Sequence, residues 1–213
     1  MSDPGPDYYR FVQCPSEDCR LRFPGVVGVA CPLCKTETVF VSDRNEAPSE
    51  EVEERGNAPI AFLLDNIRSV FNVGSIFRTG DGCGANHLYL CGITATPEHA
   101  AMRKTALGAE KLLSWSSHKN GPELAAKLVS EGKTLWALER TTDSAELFAH
   151  AGKRPDSELI LVIGNEVTGV DPGILEHCEQ VLHIPMYGQK ASLNVATALG
   201  VAGYALSAPQ AAS

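Results

Sequence analysis

A chain of 213 residues with 44% hydrophobic content is long enough for one substantial core with a small module beside it, and too short for two full-sized domains. No apolar run approaches the roughly 20 residues that span a bilayer, and the start, MSDPGPDYYRF, lacks the basic-then-apolar layout of a secretory signal, which predicts a soluble, cytoplasmic protein with no membrane partner. A net charge of -8 excludes nucleic-acid affinity built on bulk positive charge, although six acids against two arginines in residues 43–57 carry half of it and leave the rest of the chain only mildly acidic.

In chain order, the first feature is a cysteine pattern. Cys14 and Cys19 are followed by Cys31 and Cys34, and Pro follows the first cysteine of each pair. Each pair fits a tight turn, so four thiolates can converge on one tetrahedral Zn(II), and a segment of this size needs such a metal because it cannot build a sufficient core. Four unrelated cysteines are the alternative. An odd total of seven with uneven spacing argues against a disulfide framework, and Cys83, Cys91 and Cys178 sit in apolar surroundings that predict buried packing residues. Tyr8, Tyr9, Arg10, Phe11, Arg20, Arg22 and Phe23 interleave bases with aromatics. Such residues either stack on unpaired bases and touch phosphates or fill the small core of a ribbon. Residues 43–57, rich in like charges with Pro, Gly and Asn, read as a solvated linker between a module at 1–42 and a domain at 58–213.

Beyond Pro59 the pattern is that of an α/β domain. Strands are predicted at IAFLLD (60–65), HLYLCG (87–92), LLSWSS (112–117), TLWALE (134–139), ELILVIG (158–164) and VLHIPM (181–186), and helices at 69–81, 122–131, 172–179 and 192–206, the last with Ser192 as its cap. Strands apolar on both faces imply a parallel sheet covered on both sides.

Three motifs carry the candidate chemistry. In LDNIRSVFNVGSIFRTGDGCGANHLYLCG (64–92), Asn72 and Gly74 are placed at the opening of a helix with Arg78 one turn beyond Gly74, so all three can face a phosphate or sugar. Alone this is only suggestive, since helix arginines are usually solvated or paired. ILVIGNEVTGVD (160–171) ends a strand with Gly164, which permits close approach to the backbone, and places Glu166 at the strand's carboxyl end, where open α/β sheets bind ligands. In HIPMYGQKASLNVATALG (183–200) a strand ends, a glycine-containing loop follows, and Ser192 and Asn194 stand at the mouth of a helix rich in small residues.

In this order and spacing the three motifs, with RKTALGAEKLLSW (103–115) between them, resemble the SpoU/TrmH branch of the SPOUT methyltransferases over roughly residues 58–208. The resemblance implies a parallel-sheet SPOUT fold with a deep C-terminal trefoil knot, which general chain rules would not predict. It also implies a homodimer with an active site shared between subunits, and a reaction in which S-adenosylmethionine methylates a ribose 2'-hydroxyl in tRNA or rRNA. By position, Gly164, Ile184 and Leu193 match residues whose backbone grips the cofactor, with Ala137, Leu138, Met186 and Gly188 nearby. Arg78 matches the arginine at the methyl acceptor, Asn72 orients it, Ser192 and Asn194 hold its neighbours and the ribose, and Glu166 matches the second motif's glutamate. Gly80 and Cys83 depart from the alanine and phenylalanine usual after the arginine, and the cysteine module is not the branch's usual N-terminal extension, which leaves the RNA target open. A catalytically silent RNA-binding protein with the same fold is the alternative. A base methyltransferase from another branch is disfavoured by N-x-G-x-I-x-R, and a zinc hydrolase by four cysteine ligands that leave no position for water. A basic groove built in the dimer from Arg68, Arg78, Arg103, Lys104, Lys111 and Lys190 is expected to meet the RNA.

Overall fold

The computed structural model describes residues 10–43 and 60–208. Tyr8, Tyr9 and, apart from Asp43, the expected acidic linker lie outside the described residues. The chain divides between Glu53 and Glu54 into two units.

In the first unit, β1 (Arg10–Gln13) is the central strand between β2 (Arg22–Gly25) and β3 (Val39–Ser42), both antiparallel to it. Val12 and Cys14, two apart and therefore on one side of β1, are fully buried. Arg20 and Lys35, each directly after the second cysteine of its pair, adopt left-handed φ of 49° and 67°, which turns the chain sharply back at both sites.

The second unit is built on β4 (Ile60–Asp65), β5 (His87–Cys91), β6 (Ser114–His118), β7 (Thr134–Leu138), β8 (Ala145–Glu146), β9 (Leu159–Ile163) and β10 (Gln180–His183), in the order β6-β5-β4-β9-β7-β10-β8. Every pairing is parallel. All six residues of β4 and all five of β9 are buried, as expected of central strands covered on both faces. The period of two sorts them: Phe62, Leu64, Leu159 and Leu161 face α1 (Val70–Gly82) and α5 (Val195–Ser207), whereas Ala61, Leu63, Ile160 and Val162 face α3 (Gly121–Ser130) and α4 (Pro172–Leu175). No helix among the described residues is long and apolar enough to cross a membrane.

The elements differ from the sequence reading in places that have physical causes. The third strand starts at Ser114 rather than 112, because α2 (Arg103–Ala106) ends in left-handed Leu107 and Gly108, and a 3-10 turn at Ala109–Lys111 follows. The helix expected at 172–179 stops at Leu175, and by Glu179 the backbone N–H already donates to Leu135 O, in register with β7. The short edge strand β8 has no clear apolar run to announce it. The final helix begins at Val195, not at 192: its cap is Asn194, whose Oδ1 accepts from Ala196 N and Thr197 N, so Ser192 is left outside the helix. Gly80 has a packing reason, since a Cβ there would lie 2.9 Å from Leu113 Cδ2.

Candidate active site and candidate metal centre

Because β4, β7, β9 and β10 run parallel, their carboxyl ends share one edge, with Leu64 opposite Ile163, Ile163 opposite Leu138, and Leu138 opposite Leu182. Just beyond this edge lies a cavity of about 430 Å³. Leu138, Gly164, Glu166, Ile184, Met186, Ser192, Leu193 and Asn194 line it. Ala137 is buried within β7 and Gly188 is exposed beyond Met186, and neither is in the lining. Glu139, Asn165 and His183 line it as well and were not singled out from the sequence. Their common signal was available: each is a polar residue at or just past a strand's carboxyl end.

The loop after β9 is held by its own backbone and by the neighbouring strand ends. Gly164 is required by close approach, since a Cβ there would sit 2.2 Å from both Gly169 C and Val170 N. Asn165 Oδ1 accepts from Val167 N and Thr168 N, and its Nδ2 donates to Asn66 O at 2.7 Å. Gly169 has φ +75°, and a Cβ on it would meet the Glu139 carboxylate at 2.4 Å, the same carboxylate that accepts from Val170 N. The buried Asp65 accepts from Asp171 N and Asn66 Nδ2. Burial raises its pKa, and these two donors offset only part of that.

Glu166 reaches from this loop to α1. Its Oε2 accepts from Arg68 N at 3.0 Å, and its Oε1 accepts from Ser69 N at 3.3 Å and Asn72 Nδ2 at 3.1 Å. A carboxylate at the amino end of a helix meets free N–H groups and the positive end of the dipole. Desolvation raises its pKa, but the Arg68 amide, its own amide, the Asn72 side chain and the Ser69 amide outweigh this and hold it below the usual value. Asn72 Oδ1 in turn accepts from Asn194 Nδ2 at 3.1 Å, so one residue from each of the three motifs joins a single hydrogen-bonded chain.

Helix α1 is capped by Ser69, whose Oγ accepts from Asn72 N, in line with the expected range 69–81, and Asn72 lies in its first turn. One expectation about the first motif is corrected. Gly74 does not face a ligand pocket: a Cβ on it would lie 2.1 Å from Thr105 Oγ1 and 2.8 Å from Met102 O, which makes it the contact through which α1 packs against the α2 segment. Arg78, four residues on from Gly74, is exposed and outside the cavity lining. Arg68, Arg103, Lys104, Lys111 and Lys190 are exposed too.

The remaining thiols of this unit are poor nucleophiles. Desolvation pushes Cys83 up to about 11 and Cys91 and Cys178 up to about 12. In the first unit, by contrast, the sulfurs of Cys14, Cys19, Cys31 and Cys34 all lie within 4.8 Å of one another, with Cys14 and Cys34 at 3.3 Å and Cys19 and Cys31 at 3.6 Å. Zn–S bonds of about 2.3 Å in a tetrahedron place sulfurs ~3.8 Å apart, so the donor set and its spacing suit that ion.

The profile of the SpoU rRNA Methylase family matches residues 59–204. The chain is 28% identical over 189 residues to the 23S rRNA (guanosine(2553)-2'-O)-methyltransferase RlmP of Bacillus subtilis (strain 168), a match that covers 84% of this chain and 73% of RlmP. Among solved structures, the A. aeolicus TrmH/SpoU tRNA modifying enzyme is similar with a TM-score of 0.63 at 27% identity, over 72% of this chain and 76% of that one. The SpoU methyltransferase AviRb from Streptomyces viridochromogenes, solved in complex with the cofactor AdoMet, shares the fold with a TM-score of 0.62 at 23% identity, over 82% and 69% of the two chains.

Proposed function

This chain belongs to the SpoU rRNA Methylase family, and we propose that it transfers the methyl group of S-adenosylmethionine to a ribose 2'-hydroxyl in tRNA or rRNA. The observation that carries the reading is the Glu166–Asn72–Asn194 chain at the rim of the cavity, because it ties all three motifs to one site. The cavity fits the cofactor in kind. Leu138, Ile184 and Leu193 offer apolar surface to a flat base, and the chain between β10 and α5 offers backbone groups that no sheet uses. Gly164, Ile184 and Leu193 would grip the cofactor through the backbone, with Leu138 and Met186 beside it, while Ala137, buried in β7, and Gly188, exposed beyond Met186, stand outside the lining.

When bound, the cofactor supplies a methyl group already activated by its sulfonium. The chain's own work is to hold a weak nucleophile in line, and positioning of this kind can account for most of an acceleration. Asn72, fixed by Glu166, and Asn194 with the exposed Ser192 would orient the ribose. A guanidinium in proteins is a poor base, so Arg78 is assigned the role of a bidentate clamp on an adjacent phosphate and a stabiliser of developing alkoxide.

Arg78 also motivates a homodimer. It lies about 240° around α1 from Asn72 and shares an exposed stripe with Phe71, so a second copy is the natural source of the arginine at each cavity. The trefoil knot belongs to the same proposal: β10 inserts between β7 and β8, and the chain then returns to pack α5 on α1. The four cysteines are proposed to hold a structural Zn(II) that supplies folding energy to the small unit.

The test is transfer of labelled methyl from S-adenosylmethionine to methylation-naive total RNA, followed by mapping of ribose positions that resist alkaline cleavage. Arg78→Ala and Asn194→Ala should each abolish transfer, and the two chains coexpressed should recover part of it, because a shared site in the mixed dimer contains both residues intact. No recovery would refute the shared site. Cofactor binding without transfer to any RNA fraction would favour the catalytically silent reading, and near-normal activity in Arg78→Lys would refute the bidentate role.

A further inference from the structure

The outer face of the cysteine unit's sheet is organised differently from its inner face. Val12 and Cys14 are buried on one side of β1, while Phe11 and Gln13 point to the other. Register places Arg22 and Val39 opposite Gln13 and therefore on the same outer face, where Phe11 is 38% and Val39 50% exposed. Arg22 crosses this face from β2: its guanidinium lies 5.7 Å from the Phe11 ring centroid, and Nη2 donates to Ser42 Oγ on β3 at 3.2 Å. Among the described residues it meets a ring and a hydroxyl but no carboxylate, whereas Arg10 is paired with Asp43.

Among the described residues the Arg22 guanidinium has no anionic partner, and Phe11 lies outside the buried interior of the unit. Arginine prefers a carboxylate or phosphate fork, and its plane stacks on π-faces. Exposed and held near Phe11 by Ser42, the guanidinium sets N–H donors beside an aromatic ring, which are the two features that bind an unpaired nucleotide: a donor for its phosphate and a stacking partner for its base. A protein partner that fits equally would need an acidic residue flanked by a planar one, and a polyanion with a base at every repeat satisfies both requirements by composition.

We propose that the face formed by Phe11, Gln13, Arg22 and Val39 is a stacking platform for a single-stranded segment of RNA, so that the cysteine unit recognises the substrate while the second unit modifies it. The proposal rests on the RNA-methyltransferase reading, which it deepens by naming an unpaired segment as the recognised element.

The experiment uses the full chain and a fluorescein-labelled single-stranded RNA 12-mer of mixed sequence, read by anisotropy at several salt concentrations. Phe11→Ala is expected to weaken binding about tenfold. Arg22→Gln is expected to weaken it and to lower the slope of log affinity against log salt by about 0.7, the loss of one phosphate contact. Phe11→Trp, which keeps the ring, should bind as well as the wild type. Unchanged metal content and melting temperature in each variant separate lost recognition from an unfolded unit. In methyl transfer the same variants should raise KM for RNA and leave kcat alone. Wild-type affinity and salt slope in Phe11→Ala and Arg22→Gln would overturn the platform, leaving an acidic protein as the occupant. A wild-type chain that transfers no methyl yet shows the binding differences would refute the methyltransferase reading and keep the platform, and transfer with an unchanged KM in both variants would do the reverse.

Discussion

Glu166→Gln isolates the contact on which the site depends. The substitution keeps the length of the side chain but replaces one acceptor oxygen by a donor and removes the charge. The two oxygens now accept from Arg68 N, Ser69 N and Asn72 Nδ2, so a glutamine must turn its NH2 group toward at least one N–H that it cannot satisfy. Hydrogen bonds to a charged group contribute roughly 1.5–3 kcal/mol when sheltered, and the charge at the head of a helix about 0.3–1 kcal/mol. Glu166 is exposed, so solvent screening reduces the sum to about 1 kcal/mol. For a domain of this size that corresponds to a fall of about 2–4 °C in melting temperature. The effect on turnover should be larger than the effect on stability, because Asn72 loses the partner that orients it and an error of about 1 Å can cost about 100-fold. The folded pKa of Glu166 is depressed, so its stabilisation is present above the usual carboxylate value of 4.5 and is lost as pH falls through the lower folded value. Differential scanning at pH 7 should therefore separate wild type from variant, the gap should close in acid, and methyl transfer at pH 7 should fall by one to two orders of magnitude. Equal melting temperatures at pH 7 together with undiminished transfer would refute the reasoning.

Three further outcomes follow from geometry elsewhere. Gly164→Ala forces a Cβ to within 2.2 Å of the Gly169 and Val170 backbone, so the loop must shift, and the dissociation constant for S-adenosylmethionine, measured by calorimetry, should rise at least tenfold. Glu158→Gln removes the ion-pair partner of Lys133, both partly buried, and should cost about 1–2 kcal/mol in urea unfolding at neutral pH. Desolvation raises the Glu158 pKa but Lys133 and Asn86 pull it lower overall, and the hydrogen bond that Lys133 donates to Glu158 raises that of Lys133; the cost should vanish below the folded Glu158 value and shrink again above the usual Lys value of 10.5. Cys31→Ser should release one equivalent of zinc, seen by atomic absorption, and unfold the first unit, while urea unfolding of the second unit stays as in the wild type.

Much of the second unit was legible because hydrophobic period is a local property. β4 and β9 read as strands buried on both faces because every residue in IAFLL and LILVI is apolar, and the parallel sheet followed from that. The cysteine spacing likewise announced the clustered sulfurs, since two short loops each bring two thiols together without help from the rest of the chain. Local pattern cannot say which strand lies beside which. Only the tertiary order places β9 between β4 and β7 and so sets Asp65, Glu139 and Gly164 around one loop. Nor does spacing fix the direction of a helix side chain. N-x-G-x-I-x-R suggested one face for Asn72, Gly74 and Arg78, but at 3.6 residues per turn Gly74 and Arg78 lie about 200° and 240° around the helix from Asn72, so Gly74 packs on α2 with Arg78 exposed one turn on, while Asn72 alone turns to Glu166 and Asn194. The same holds at the last helix, where Ser192 and Asn194 are both competent caps and the loop's path to the cavity gives the task to Asn194. Sequence therefore determined most of the elements and the motifs that carry the site, through periodicity and spacing, whereas tertiary packing decided which residues meet, because contacts such as Glu166 to Asn72 join positions far apart along the chain that no local rule connects.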